Sequence, residues 1–138
     1  MTRQAKRPRI LVADDDLALL EAIQGYLESE GYEVGAAVDG NRALDMGGSG
    51  IFDLMVLDVH MPLYGGAEVL QMLRKRLLAH PIKVIALTAD ARWAVREQMQ
   101  RDGVDAFLVK PVSLAQLGRE VTRLLAIELP PKVNPQRV

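Results

Sequence analysis

The 138-residue sequence contains no cysteine, which excludes a disulfide framework and a zinc–thiolate site. No apolar run approaches the ~18 residues that a membrane-spanning helix needs, so we expect no membrane segment. Neither sign of charge dominates, because 17 Lys and Arg stand against 18 Asp and Glu, for a net charge of -1. We therefore expect no direct binding to nucleic acid, which is held largely through its phosphates. The basic start of the chain is not followed by an apolar stretch, so no secretory signal is predicted.

The composition is that of a folded globular chain, with 49% hydrophobic and 25% charged residues. The length suits a single domain. We expect that domain to span residues 9–128, between a disordered basic tail at 1–8 and a tail or linker stub at 129–138. The absence of cysteine fits a reducing compartment, so the cytoplasm is the expected location.

Short apolar runs alternate strictly with amphipathic stretches along the chain. Apolar runs of four to eight residues are typical of strands buried on both faces. The predicted strands are Ile10 to Ala13, Tyr32 to Val38, Leu54 to Leu57, Ile82 to Leu87 and Ala106 to Val109. The predicted helices are Leu17 to Glu30, Asn41 to Met46, Ala67 to Leu78, Arg92 to Arg101, and one from Leu114 to Leu125, with Asp16 and Ser113 as N-caps. Five strand–helix units predict an α/β fold with a parallel sheet.

Polar side chains stand where four of these strands end. The first strand ends in Asp14, Asp15 and Asp16, and the third, fourth and fifth end in Asp58, Thr88 and Lys110. In an open parallel sheet, ligands bind outside the carboxyl ends of the strands. Carboxylates that share a pocket repel one another unless a cation lies among them, and oxygen ligands alone favour Mg²⁺, Mn²⁺ or Ca²⁺. A carboxylate beside such a metal can act as a nucleophile toward phosphorus.

These residues resemble the receiver domain of two-component response regulators. The matching segments are ILVADDD, FDLMVLDVHMP followed by GG, VIALTA and DAFLVKP, in the order and spacing of that family. The resemblance implies a doubly wound, flavodoxin-like fold with five parallel strands in the order 2-1-3-4-5 and five helices. It also implies that Asp58 is the phosphoacceptor. Mg²⁺ would be held by Asp15, Asp58 and the backbone carbonyl of His60, with Asp14 acting indirectly.

The resemblance assigns further roles near this pocket. Thr88 and Lys110 would contact the phosphoryl group, and Thr88 and Phe107 would move together as a switch. His60 and Asp90 would flank the path of the hydrolytic water and tune the lifetime of the phosphorylated state. The peptide bond between Lys110 and Pro111 is commonly cis in the family.

The implied function is signalling, without turnover as an enzyme. The phosphoryl group would come from a histidine kinase or a histidine phosphotransfer protein, and the domain would lose it by autodephosphorylation. Phosphorylation would bias a partner surface made by the fourth helix, fifth strand and fifth helix. Some receivers dimerise through that surface, and the sequence does not decide whether this one does. Nor does it name the kinase or show whether an output domain belongs to the protein.

Two alternatives remain from the residues alone. The first is a small phosphohydrolase with an aspartyl-phosphate intermediate, because Asp14 to Asp16 formally supply the D-x-D pattern of haloacid-dehalogenase-like enzymes. Such enzymes usually run longer and carry a cap domain. The second is a binding module with a receiver fold and no phosphorylation, against which the full set of strand-end residues argues.

Overall fold

The computed structural model describes residues 7–76 and 81–126, apart from the side chains of residues 93–95. Ten elements alternate strictly, as the sequence predicts. They are β1 (Arg9–Ala13), α1 (Leu17–Ser29), β2 (Glu33–Ala37), α2 (Gly40–Gly47), β3 (Leu54–Asp58), α3 (Gly66–Arg74), β4 (Lys83–Thr88), α4 (Trp93–Arg101), β5 (Ala106–Val109) and α5 (Leu114–Leu125). Most of both predicted tails lies outside the described residues, so the domain boundaries stay a prediction.

Short polar side chains begin three of the helices. Asp16 Oδ1 accepts hydrogen bonds from the backbone of the first turn of α1, at 3.1 and 3.2 Å. Asp39 caps α2 and Ser113 caps α5 in the same way, at 2.8 and 3.2 Å. These bonds satisfy amide groups that have no partner within the helix. The predicted caps Asp16 and Ser113 are therefore confirmed.

The third helix is shorter than its apolar spacing predicts. It begins at Gly66 and ends at Arg74, whereas the prediction ran from Ala67 to Leu78. The Arg74 guanidinium donates to the carbonyls of Ile82 and Gly103, both at 2.8 Å. The helix end is thereby tied to the start of β4 and to the turn before β5. The predicted positions 77 and 78 lie outside the described residues.

The five strands are parallel and run in the order β2-β1-β3-β4-β5, which confirms the order implied by the resemblance. Ala13 pairs with Leu57 across β1 and β3, so the next residues, Asp14 and Asp58, lie side by side. Thr88 pairs with Val109, which brings Lys110 to the same edge. The register of the sheet thus gathers the strand-end residues.

Both faces of the sheet are covered by helices. Alternate strand residues point to opposite faces. One face packs on α1 and α5 through Ile23, Leu27 and Leu117, and the other packs on α2 and α3 through Leu44, Leu70 and Leu73. Asp14, Asp58 and Thr88 are the buried polar side chains within the described ranges. No helix in these ranges is long and apolar enough to span a membrane.

Candidate functional site

Asp14 is fully buried where β1 ends. Its Oδ1 accepts a hydrogen bond from the backbone N–H of Asp16 at 2.9 Å. Its Oδ2 makes no aligned hydrogen bond and lies 3.1 Å from Lys110 Nζ, so that contact is an ion pair. The Lys110 charge therefore compensates only part of the hydration that this buried oxygen has lost, and no well-aligned donor replaces the water.

Asp58 ends β3 and is 3% exposed. Its Oδ1 accepts from the backbone N–H of His60 at 3.2 Å and lies 3.4 Å from Lys110 Nζ. Burial raises the pKa of Asp58, and the neighbouring Asp14 carboxylate raises it further. These effects outweigh the His60 amide and the Lys110 ammonium, which lower it. Proximity of another cation would therefore stabilise the ionised form of Asp58.

Lys110 enters the pocket from the end of β5 and is shared by both buried carboxylates. Burial of its ammonium group opposes charging, but Asp14 and Asp58 outweigh that effect and raise the pKa of Lys110. The ammonium group is therefore firmly protonated and presents a fixed positive charge. The peptide bond that follows, between Lys110 and Pro111, is cis.

Thr88 ends β4 and is completely buried. Its hydroxyl oxygen accepts a hydrogen bond from the backbone N–H of Asp90 at 3.0 Å. Among the described residues, no group accepts a hydrogen bond from the hydroxyl in return. The Thr88 proton is therefore free to be donated to an incoming oxygen atom.

Carboxylate oxygens of Asp14, Asp15 and Asp58 all lie within 4.8 Å of one another. Asp15 is exposed, whereas the other two are buried, so the cluster opens to solvent on one side. These residues fit Mg²⁺, because the donor set is all oxygen, one buried oxygen lacks a hydrogen bond, and Lys110 offsets only part of the negative charge. The structure thus brings together the acids that the sequence predicted as metal ligands.

His60 and Asp90 each follow a residue of this pocket by two positions, and their backbone N–H groups donate to Asp58 and Thr88. Arg92 donates from its Nε to both carboxylate oxygens of Asp90, at 2.9 and 2.8 Å, and its backbone N–H donates at 3.0 Å. The side-chain hydrogen bonds from Arg92 lower the pKa of Asp90, and a Coulombic interaction with His60 is the weakest of the effects that lower it. The two predicted tuning residues therefore lie within electrostatic reach of each other.

Two arginines near the site were missed by the sequence reasoning. Arg92 closes a local ion pair with Asp90, and Arg96 of α4 lies over the ring of Phe107, 5.4 Å from its centroid. Phe107 is half-buried, so the aromatic residue predicted to act as a switch is in cation–π contact with Arg96. An Arg two residues after an Asp is only a weak sequence signal for an ion pair. The contact between Arg96 and Phe107 joins α4 to β5, so no local sequence pattern indicates it.

The sequence matches the response regulator receiver domain over residues 10–122. It is 37% identical over 118 residues to the transcriptional regulatory protein PrrA of Mycobacterium tuberculosis, a match that covers 86% of this chain and 50% of PrrA. The chain thus spans about half the length of that relative.

Solved structures agree with this match. The receiver domain of the Francisella response regulator 1452 superposes with a TM-score of 0.81 at 32% identity, covering 87% of this chain and 98% of that one. The receiver domain of the sensor histidine kinase PA1611 from Pseudomonas aeruginosa, with a magnesium ion coordinated in its active site cleft, gives 0.80 at 27% identity, covering 88% and 100%.

The chain belongs to the response regulator receiver domain family. It is a phosphoacceptor domain of two-component signalling, and its acidic pocket consists of Asp14, Asp15 and Asp58 with Lys110. Receiver domains typically accept a phosphoryl group rather than turn over a substrate, and they partner with histidine kinases or phosphotransfer proteins.

Proposed function

We propose that Asp58 is the residue that accepts the phosphoryl group, from a histidine kinase or a histidine phosphotransfer protein. The observation that carries this proposal is the buried Asp58 carboxylate, 3.4 Å from Lys110 Nζ and beside the acid pair. An Asp58 oxygen attacks the phosphorus atom, and the bond from phosphorus to the donor's imidazole nitrogen breaks. The electron pair of that bond stays on the nitrogen, and an acyl phosphate forms on Asp58.

The metal ligands in this proposal are Asp15, Asp58 and the backbone carbonyl of His60, with Asp14 acting indirectly. Bound Mg²⁺ would supply charge neutralisation for the phosphoryl oxygens. The cluster of three carboxylates supports this assignment, as does the magnesium ion coordinated in the PA1611 receiver domain.

Lys110 and Thr88 complete the proposed site. The Lys110 ammonium group holds one phosphoryl oxygen as a point charge, and the Thr88 hydroxyl donates its unused proton to another. To reach that oxygen, Thr88 leaves its hydrogen bond with the Asp90 amide. Movement of Thr88 vacates space for the Phe107 ring, which couples the pocket to the surface of α4, β5 and α5.

That surface is where we propose that a downstream protein binds. Phosphorylation adds roughly two negative charges and three acceptor oxygens at Asp58, enough to bias an element with two conformations. A phosphorylation-dependent dimer through the same surface remains a second outcome. We further propose a cytoplasmic location, loss of the phosphoryl group by autodephosphorylation, and no direct contact with nucleic acid by this chain. Membership of the receiver family disfavours both the phosphohydrolase and the unphosphorylated binding module.

The test is the intact mass of the chain after incubation with acetyl phosphate and Mg²⁺. We expect the wild type to gain one phosphoryl group and Asp58→Asn to gain none. Asp45→Asn is the matched control, because Asp45 is an exposed aspartate of α2 remote from the pocket, and it should be modified like the wild type. A phosphorylated phosphotransfer protein serves as a second donor. Failure with both donors, or modification of Asp58→Asn, would contradict the proposal.

A further inference from the structure

The loop between β3 and α3 connects the acceptor residue to the rest of the fold. This β3–α3 loop comprises residues 59–65 and directly follows Asp58. Within the loop, Tyr64 N–H donates to the carbonyl oxygen of Pro62 at 3.0 Å. At its end, Gly66 N–H donates to the carbonyl oxygen of Val59 at 2.8 Å. Leu63 has a φ of 71°, an uncommon conformation for a residue with a side chain. The loop is thus tightly folded, and its shape decides where the His60 backbone lies.

Gly40, the first residue of α2, packs directly on this loop. It is buried, and its N–H donates to the carbonyl of Pro62 at 3.3 Å. A Cβ atom at Gly40 would lie 2.1 Å from the carbonyl oxygen of Tyr64 and 2.7 Å from its Cβ. Such approaches are too close for real atoms, and the obstruction is backbone, which cannot rotate away. Close approach, and not an unusual φ, is therefore what requires glycine here.

The two partners in this contact differ in how firmly they are held. α2 is fixed by the Asp39 cap and by the buried residues Ala43 and Leu44. β3 is fixed by ladders on both sides, with β1 and β4. The β3–α3 loop belongs to no ladder or helix, and single backbone hydrogen bonds hold it to its neighbours, such as the one from Val59 N–H to the carbonyl oxygen of Leu87 at 2.9 Å. A displacement forced at Gly40 would therefore be taken up mainly by the loop.

We propose that Gly40 is a positioning residue for the acceptor site. By letting α2 contact the β3–α3 loop without an intervening side chain, it holds His60 so that its N–H donates to Asp58 Oδ1. It also holds the backbone carbonyl that we assign as a metal ligand. The inference rests on the proposed function, since it concerns how that Mg²⁺ site is assembled.

Gly66 provides a contrast that shows why Gly40 is the informative position. A Cβ at Gly66 would lie 2.5 Å from the backbone oxygen of Asp58 and 2.8 Å from Val59 Cα. A substitution there would strike the acceptor strand itself, so its effect could not be separated from damage to β3. The three atoms nearest to a Cβ placed at Gly40 all belong to Tyr64, so a substitution at Gly40 acts on Asp58 and His60 through the loop.

The test compares Gly40→Ala with Gly47→Ala in the full chain. Gly47 is the matched control, because it is a buried glycine of the same helix. The three atoms nearest to its added Cβ are side-chain atoms of Leu73 and Met55, the closest at 3.3 Å. Backbone amide shifts of the metal-free proteins report the loop, a Mg²⁺ titration gives the dissociation constant, and urea unfolding reports stability separately.

We expect Gly40→Ala to shift the amide signals of the β3–α3 loop and of Asp58, and to weaken Mg²⁺ binding about tenfold, as loss of support around metal ligands commonly does. Gly47→Ala should leave the dissociation constant within about twofold of the wild type, whatever stability it loses, because distant sites act independently. A Gly40→Ala protein with the wild-type His60 amide position and wild-type Mg²⁺ affinity would overturn the proposal.

A second variant keeps the test open if Gly40→Ala does not fold. Tyr64→Gly removes the Cβ atom that faces Gly40 and adds no clash, so it loosens the same contact from the loop side. It should shift the same amide signals and weaken Mg²⁺ binding, and an unchanged affinity would refute the inference. If the wild type itself bound no Mg²⁺, the proposed function would fail, whereas the amide shifts of the metal-free variants would still decide the role of Gly40.

Discussion

Two groups of ion-paired side chains at the carboxyl edge of the sheet, one around Lys110 and one around Arg92, differ in what surrounds them. Lys110 Nζ lies 3.1 and 3.4 Å from two buried carboxylates, those of Asp14 and Asp58. Arg92 binds Asp90 through several shorter hydrogen bonds, but its side chain is 79% exposed. The exposed pair is complete, since one cation neutralises one anion in water. The buried group has more anions than cations and little water, so it is the one prepared to take up another cation.

The pKa shifts of the two acids express the same difference. Hydrogen bonds from Arg92 lower the pKa of Asp90, whereas burial raises the pKa of Asp58 despite the nearby ammonium group. More hydrogen bonds therefore do not make a better cation-binding site. Incomplete compensation of buried negative charge does, because binding of a cation is then favoured.

The largest expected effect comes from removing the buried cation. Lys110→Met keeps the length of the side chain and removes its charge, so the phosphoryl oxygens lose a fixed electrostatic partner. We expect phosphoryl uptake from acetyl phosphate to fall about 100-fold, the usual cost of deleting one such donor. Mg²⁺ should bind at least as tightly as in the wild type, because a competing positive charge has left the acid cluster. Mass spectrometry and a Mg²⁺ titration measure these opposite changes.

Lys83→Met is the matched control, since Lys83 is exposed at the opposite end of β4. The Lys83→Met variant should change neither phosphoryl uptake nor Mg²⁺ affinity. Equal loss of phosphoryl uptake and of Mg²⁺ binding in Lys110→Met would mean that the pocket had collapsed, and the comparison between the two ion pairs would lose its basis.

The next effect concerns the exposed pair and its neighbour His60. If His60 and Asp90 flank the path of the attacking water, His60→Ala and Asp90→Ala should each change the dephosphorylation rate, by up to about tenfold. Neither should abolish phosphorylation, because neither side chain forms a hydrogen bond or an ion pair with Asp58 in the structure. The measurement is decay of the phosphorylated mass species after the donor is removed. Wild-type decay rates in both variants would remove the tuning role.

Much of this site was predictable from residues that break apolar runs. Each buried strand reads as an apolar stretch, so Asp14, Asp58 and Thr88 mark strand ends by their polarity alone, and a parallel sheet puts such ends at one edge. The strand order was not derivable in this way and came from the resemblance. The strand order is nevertheless what places β1 next to β3, and therefore Asp14 beside Asp58.

Other features depend on contacts that leave no local pattern. Gly40 needs its lack of a side chain because of Tyr64, which is distant along the chain, and nothing near Gly40 in the sequence announces that contact. The end of α3 at Arg74 reflects bonds to Ile82 and Gly103, whereas the apolar spacing continues further. Such features follow from tertiary packing, which composition and periodicity do not encode.

The smallest expected effect is on stability, and it tests whether Asp58 carries an uncompensated charge. Because the folded-state pKa of Asp58 is raised, the folded chain retains a proton that the unfolded chain has already released. Between the ordinary aspartate pKa and the raised one, the free energy of unfolding should therefore fall as pH rises, and it should level off above the raised value. The Asp58→Asn variant cannot ionise at this position, so its free energy of unfolding should not show this decrease. In the absence of metal we expect it to be about 1 kcal/mol more stable than the wild type at neutral pH.

Urea unfolding over a pH series, with EDTA and then with Mg²⁺, measures both parts of this expectation. Mg²⁺ stabilises the state that binds it, so it should raise the free energy of unfolding of the wild type more than that of Asp58→Asn. The stability advantage of Asp58→Asn should therefore shrink or reverse when Mg²⁺ is present. Asp45→Asn, with an exposed carboxyl group, should follow the wild type in both conditions. The contrary result is a difference in free energy of unfolding between the wild type and Asp58→Asn that stays constant across the pH series. That result would mean that Lys110 already neutralises the negative charge of the pocket. The buried and exposed ion pairs would then differ in burial alone and not in charge balance.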